Sequence, residues 1–177
     1  MSKIKHFDVM PDIIAANRVR TFVEVGVYHG KFSKLVLRKC GCYLDQYWAI
    51  DRWDVLVKEE GTPIGGIPAE RWNELYLGVC AMMTHFPMLH VIRQDSLTAS
   101  TLFPDGYFDM VYIDASHFYE DVLADIKAWL PKVRPGGIMS GHDYVHRRAN
   151  MQAKKAVDEI FPTGVIKLED TSWMVKL

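Results

Sequence analysis

The sequence has little cysteine, no surplus of either charge and no long apolar run, and each shortage removes a class of protein. Three cysteines occur in 177 residues. Cys40 and Cys42 are separated by one residue and Cys80 stands alone, which gives neither a CxxC zinc pair nor an even disulfide framework. Lys and Arg number 21 against 22 Asp and Glu, a formal charge of −1. The chain as a whole therefore has no electrostatic hold on a nucleic-acid backbone or an anionic membrane, and neither is expected as a partner. No apolar stretch approaches the roughly 20 residues that span a bilayer. The opening MSKIKHFDVM lacks the apolar core of a signal peptide, so a cytoplasmic location is the expectation. Internal repeats and low-complexity tracts are also missing.

What is present suits a folded soluble domain. Hydrophobic residues make up 49% and charged residues 24%, an ordinary balance for a packed core under a polar surface. The length fits one domain, residues 1–177, opened by an N-terminal helical segment over 1–19 in which Pro11 to Asn17 reads as a helix.

Along the chain, strand-like and helix-like patterns alternate. Thr21 to Val25 is a β-branched and aromatic run closed by Gly26, and Lys31 to Arg38 carries Phe32, Leu35 and Val36 at helical spacing. Tyr47 to Ile50 is a second strand, followed by a Gly/Pro-rich loop, Glu60 to Pro68, and by a helix over Glu70 to Phe86. His90 to Arg93, Phe108 to Ile113 and Ile138 to Ser140 are the next three strands. Phe118, Val122, Ile126 and Leu130 recur at every fourth position after Asp114, a helical stripe that begins at His117 and ends near Pro131. A helix over Ala153 to Ile160 and strands over Gly164 to Leu168 and Ser172 to Leu177 complete the pattern.

Strands that alternate with helices pair in parallel through crossovers, and strands apolar on both faces belong in a sheet covered on both sides. The expectation is a seven-stranded, doubly wound, mostly parallel Rossmann-like α/β sheet. Only Glu169, Asp170 and Thr171 separate the last two strands, too few for a parallel crossover, so these form an antiparallel hairpin at the sheet edge.

In such sheets ligands sit outside the carboxyl ends of the strands. The residues at those ends are polar: Glu24 to Gly30, Asp51 to Trp53, Asp95 and Ser96, Asp114 to His117, and His142 to Tyr144. Glu24-Val-Gly26-Val-Tyr-His-Gly30 resembles the first motif of class I S-adenosylmethionine-dependent methyltransferases, and Asp51 lies 27 residues after Glu24, near that family's second acidic position. Ile113 to Glu120, Asp125, Pro135-Gly-Gly137 and His142-Asp-Tyr144 resemble its small-molecule O-methyltransferase branch, which includes metal-dependent macrolide-sugar methyltransferases. The resemblance runs from about residue 20 to the end, with five motifs in the family's order.

The resemblance implies methyl transfer from S-adenosylmethionine to a hydroxyl of a small molecule, sugars included, with a divalent cation, magnesium or manganese. It implies Glu24, Gly26 and Gly30 at the methionine end, Asp51 at the ribose, and Trp53, Asp95 and Ser96 around the adenine. Physical chemistry agrees with these assignments. A sulfonium cofactor without phosphates needs a glycine turn for close backbone approach beside a helix N-terminus, and an acidic side chain after the second strand can accept from ribose hydroxyls. Asp114, His142 and Asp143 are the expected metal ligands. A histidine at 142, where the branch is commonly acidic, shifts the preference from magnesium toward manganese, iron or zinc.

Asp114 and His117 are the expected catalytic pair, with His117 as a base oriented by Asp121 or Asp125 along its helical stripe. Between His117 and His142 as base or ligand the sequence does not decide. The Glu60 to Pro68 loop is placed to act as a lid, and His146, Arg147, Arg148, Lys154 and Lys155 form a basic cluster that could meet an acidic acceptor. Trp72, Trp129 and Phe161 read as packing. Two rival classes stay open: a metal-dependent hydrolase built on Asp114, His117, His142 and Asp143, and a cofactor-binding domain without turnover. Acceptor identity, and whether the chain is a monomer or a homo-oligomer, are not legible.

Overall fold

The computed structural model describes residues 9–55, 66–145 and 152–177. Helix α1 (Met10–Ala16) precedes strand β1 (Thr21–Val25), and α2 (Lys31–Cys40) leads to β2 (Gln46–Asp51). Helix α3 (Ala69–Ala81) leads to β3 (Leu89–Arg93), and the short α4 (Ser96–Ser100) to β4 (Phe108–Ile113). Then come α5 (Tyr119–Trp129), β5 (Val133–Gly141), α6 (Ala153–Ile160), β6 (Ile166–Lys167) and β7 (Trp173–Lys176).

The strands form one seven-stranded sheet in the order β3-β2-β1-β4-β5-β7-β6. β1 pairs in parallel with β2 and β4, β2 with β3, and β4 with β5. β7 runs antiparallel to both β5 and β6. The expected hairpin is present, with its reversed strand tucked inside β6. The chain starts in the middle of the sheet, builds outward to β3 and returns to β4 on the far side of β1, so the topological switch point falls between β1 and β4.

Side-chain alternation divides the core between the two faces. Phe22, Tyr47, Met110 and Tyr112 face one way and pack under α1, α2 and α3 with Met10, Phe32, Val36 and Trp72. Val23, Ile50, Val111 and Met139 face the other way, under α4, α5 and α6, with Ala99, Ile126, Trp129 and Val157. The amphipathic period of α2 is visible in Phe32, Val36, Leu37 and Cys40, all buried. No helix among the described residues is long and apolar enough to cross a membrane.

The elements depart from the sequence reading in three places. α4 was not expected; it is five residues long, too short for a periodic pattern, and it forms because Asp95 caps it. β5 begins at Val133 and carries Pro135, Gly136 and Gly137 within it, its register on β4 shifting between Phe108 and Met110. α5 begins at Tyr119, with Phe118 extended at its N-cap (φ −76°, ψ 143°), so His117 stands in the loop before the helix and not on its stripe. Most of the expected lid (residues 60–65) and all of His146, Arg147 and Arg148 lie outside the described residues.

Candidate functional site

A cavity of about 650 Å³ opens over the carboxyl ends of β1, β2, β3 and β4. Gly26, Asp51, Asp95, Asp114, His117 and Asp125 all contribute to its wall.

The turn after β1 is built around a glycine that nothing else can replace. Gly26 has φ +91°, and a Cβ there would lie 2.3 Å from the carbonyl oxygen of Asp114 and 2.5 Å from the Cα of Ala115. Those are backbone atoms held by pairing: the amide of Asp114 donates to Val25 O at 2.7 Å, and that of Gly26 donates to Ile50 O at 2.8 Å. Gly30, at φ +72° and the N-cap of α2, meets α3 instead, with its absent Cβ 3.0 Å from Val79 Cγ2. Gly30 thus shapes the turn from behind while Gly26 forms cavity wall.

Asp51 holds the two adjacent loops together. Its Oδ2 accepts from the amides of Val27 and Tyr28, each at 2.8 Å, and its Oδ1 accepts from the amide of Trp53 at 2.9 Å. A carboxylate offers about four acceptor positions, so room remains for a ligand hydroxyl. Tyr28, at φ +53°, lies on the cavity beside this carboxylate. Glu24 takes no place on the wall. It points under α2, is 1% exposed, and accepts hydrogen bonds from Ser33 Oγ and Tyr47 OH. Burial pushes its pKa up to about 8 against the pull of those two donors, with Asp114 and Asp51 adding to the rise.

Trp53, expected on an adenine, has no exposed surface. Its indole N–H donates to Tyr28 O at 2.7 Å and its ring packs against Tyr76 at 5.2 Å. The apolar ring is worth more in the core than on a solvated wall. Trp72 combines two places: it is buried with the α3 core, as the helical spacing suggested, and it also borders the cavity.

Past β3, Asp95 and Ser96 line the cavity. Asp95 Oδ1 accepts from Thr98 N at 3.0 Å. The side-chain and backbone hydrogen bonds from Thr98 hold its carboxyl below the usual range. Ser96 Oγ accepts the indole N–H of Trp129 at 2.8 Å.

The densest chemistry lies beyond β4 and β5. Among the described residues, Asp114, His117 and Asp143 form the group that could hold a metal ion, each offering a ligand atom within 4.8 Å of the others. His117 Nε2 is 3.2 Å from Asp143 Oδ2. Two carboxylates and one imidazole suit a divalent cation of intermediate character, such as manganese or iron, as well as magnesium. Asp143 stands at φ +53°, a left-handed conformation that a non-glycine residue adopts only where its surroundings enforce it. Burial pushes Asp114 up to about pKa 7; His142 opposes this, and Asp143 and Asp170 reinforce it.

His142, an expected ligand, is buried beside this group and is not one of the three residues in it. Its side chain is 2% exposed, and Nδ1 lies 3.2 Å from Asp143 Oδ1 and 3.8 Å from Asp114 Oδ1. On the other side Nε2 faces the carbonyl of Asp170 at 3.1 Å, with Thr171 Oγ1 at 3.2 Å. The ring is thus held between the Asp143 carboxylate at Nδ1 and the Asp170 carbonyl and Thr171 hydroxyl at Nε2. Burial works against a charged ring, but the hydrogen bond to Asp143 and the charges of Asp114, Asp143 and Asp170 raise its pKa overall. His117, whose role the strand-end spacing had left undecided, is the histidine of the group that could hold a metal ion.

The partner expected to orient His117 also changes. With His117 ahead of the helix, its neighbouring carboxylate is Asp143; Asp121 accepts from Ser116 Oγ at 2.8 Å, and Asp125 lies near Ser96. The half of the expected basic cluster that is described is engaged elsewhere: Lys154 pairs with Asp158, and Lys155 sits 4.2 Å above the Tyr119 ring. Sequence reasoning missed Tyr28 on the wall and Asp170 and Thr171 behind His142. The second pair lies in the turn between the last strands, where Thr171 stands at φ +73°.

Comparison with known proteins identifies the family and the fold. Residues 23–144 match a family described as a methyltransferase domain. The uncharacterized protein y4gI of Sinorhizobium fredii is 28% identical over 135 residues, which cover 74% of this chain and 14% of that protein. The chain thus spans about one seventh of this relative's length. Among solved structures, a candidate caffeoyl-CoA O-methyltransferase from Staphylococcus aureus superposes with a TM-score of 0.65 at 17% identity, covering 98% of this chain and 85% of that one. The O-methyltransferase NovP gives 0.62 at 16% identity, covering 96% and 77%. At these identities the likeness is one of fold.

Proposed function

Given that the chain belongs to the methyltransferase-domain family, we propose that its cavity binds S-adenosylmethionine and that it transfers the methyl group to a hydroxyl of a small molecule, sugars among the acceptors, with a divalent cation at Asp114, His117 and Asp143. One observation carries the reading: the glycine turn and two members of the Asp/His group, Asp114 and His117, line a single cavity, where Gly26 and Asp114 are in backbone contact. Oxygen as the acceptor atom is supported by the likeness to NovP, itself an O-methyltransferase.

When bound, the cofactor supplies a methyl on a positively charged sulfur and the cation acidifies an acceptor hydroxyl. The chain's own residues do the rest. Gly26 lets a ligand approach the backbone. Asp51 fixes the loops on either side and keeps acceptor capacity for ribose hydroxyls. Asp51, Asp95, Asp114, Asp121 and Asp125 line the cavity against Arg52, a balance that favours a cationic cofactor over an anionic acceptor. His142 holds Asp143 from behind. His117 can serve as ligand or as proton acceptor, and sensitivity to a chelator separates the two roles.

The test is thermal unfolding with S-adenosylhomocysteine and manganese. At a hundredfold excess over Kd the ligand adds about 2.7 kcal/mol, a rise of roughly 5–10 °C for a chain of this size. A rise with metal alone and none with S-adenosylhomocysteine sinks the methyltransferase reading and favours a metal-dependent hydrolase.

A further inference from the structure

The two loops that bring His117 and Asp143 together are gripped by a single helix. His117 follows β4 and Asp143 follows β5, each in irregular chain, yet their side chains meet at 3.2 Å. A distance between two loops is set by what both are tied to, and both are tied to α6. Two residues after His117 comes Tyr119, whose hydroxyl donates to Glu159 and whose ring lies 4.2 Å beneath the ammonium of Lys155. Directly after Asp143 comes Tyr144, whose hydroxyl donates to Asp158 Oδ1 at 2.6 Å and whose ring lies 5.1 Å from the ammonium of Lys154. The other oxygen of Asp158 pairs with Lys154.

The helix thus makes one grip twice: a carboxylate takes the phenol proton and a cation covers the ring. Neighbouring residues on a helix point about 100° apart, so 154 and 158 reach one loop while 155 and 159 reach the other. A third tie is the amide of Gln152, the N-cap of α6, which donates to the carbonyl of His117 at 2.9 Å. The backbone supplies an independent sign of the constraint. Asp143 keeps its left-handed φ of +53°, and such strain persists only where the surroundings over-determine it. The next residue, Tyr144, is held from two sides, its amide donating to Thr171 O at 3.0 Å and its hydroxyl to α6.

We propose that Tyr119 and Tyr144 are positioning residues of the cation site, their hydroxyls, fixed by Glu159 and Asp158, setting the spacing of His117 and Asp143. The inference rests on the reading above in which Asp114, His117 and Asp143 hold a divalent cation; neither tyrosine belongs to that group. Ion pairs and hydrogen bonds near the surface contribute little to overall stability. A metal site asks more of them, because outer partners that orient its ligands are typically worth about ten- to a hundredfold in metal affinity. A tyrosine that only packs α6 against the sheet would move Tm and leave the affinity of the folded protein for the ion unchanged.

The experiment is calorimetric titration with manganese, alone and with S-adenosylhomocysteine present, of the wild type, Tyr119→Phe and Tyr144→Phe. Phenylalanine keeps each ring and removes only the hydroxyl. Manganese affinity should fall about tenfold or more in each variant, while Tm stays within about 4 °C of the wild type and S-adenosylhomocysteine affinity is kept. Glu159→Gln and Asp158→Asn weaken the same two bonds from the helix side, should lower manganese affinity in the same way, and carry the test if a tyrosine variant fails to fold. Asp158→Asn combined with Tyr144→Phe should weaken manganese no further than Tyr144→Phe alone, since both act on one bond. Wild-type manganese affinity in the folded variants overturns the positioning role, whatever happens to Tm. A joint loss of manganese and S-adenosylhomocysteine affinity marks a general loosening of the fold and overturns it too. A wild type that binds no manganese under either condition overturns the cation reading and this inference with it.

Discussion

Asp143→Asn should lower methyl transfer by about 10²–10⁴-fold, the range expected when a group acting directly at the reacting centre is lost, while leaving S-adenosylhomocysteine affinity within about threefold. Asparagine is the right replacement because Asp143 sits at φ +53°, a conformation that asparagine tolerates far better than alanine. Three consequences of the substitution fall on one small region. Asp143 is within 3.2 Å of both His117 and His142, and its charge is one of the forces raising the pKa of Asp114. Removing it takes a carboxylate from the proposed cation site and deprives His142 of its strongest acceptor. It also relieves a like-charge contact, so stability near neutral pH should hold. Turnover and binding measured on the same preparation separate these effects. A parallel loss of turnover and S-adenosylhomocysteine binding would move Asp143 from chemistry to cofactor retention.

Gly26→Ala should cost about 2–5 kcal/mol, combining backbone strain at positive φ with overpacking against a rigid neighbour. In a chain of this length that is a drop of roughly 4–20 °C in Tm, and cofactor binding should go with it. The size of the effect follows from what the new methyl would meet: the Asp114 carbonyl at 2.3 Å and the Ala115 Cα at 2.5 Å, both backbone atoms. Neither can move without breaking the pairing of β1 with β4. Gly78 is the internal control. It lies in α3, where a methyl group would have nothing within 4 Å of it, so Gly78→Ala should stabilise by about 1 kcal/mol through helix propensity. Thermal unfolding of the two variants side by side checks the contrast, and equal behaviour would mean that the β1 turn is not the rigid wall described above.

The alternation of apolar runs made the sheet legible because period is a local property. Phe22, Val23 and Val25 announce a strand covered on both faces, and Phe32, Val36 and Cys40 a helix covered on one. The short link before β7, residues 168–172, forced the hairpin. The placement of side chains at strand ends was legible, as with Asp51 and Asp114 on the cavity wall and Asp143 beside them. It was not legible where a side chain's direction depends on the third dimension. Trp53 turns inward because α3 offers its ring an apolar bed. His142 packs against the hairpin turn at Asp170 and Thr171, which no strand-end spacing foretold. No spacing rule brings residues 28 positions apart into one hydrogen bond. The helical stripe through Val122 and Ile126 was real, but Phe118 starts the helix too late to include His117.

The most direct measurement is transfer of an isotope-labelled methyl from S-adenosylmethionine to a panel of sugars and phenols, run with manganese and again after chelation. The proposed mechanism requires label on an acceptor hydroxyl with manganese, loss of transfer on chelation and recovery when the ion is restored. Transfer that continues at the same rate after the metal has been stripped would contradict it.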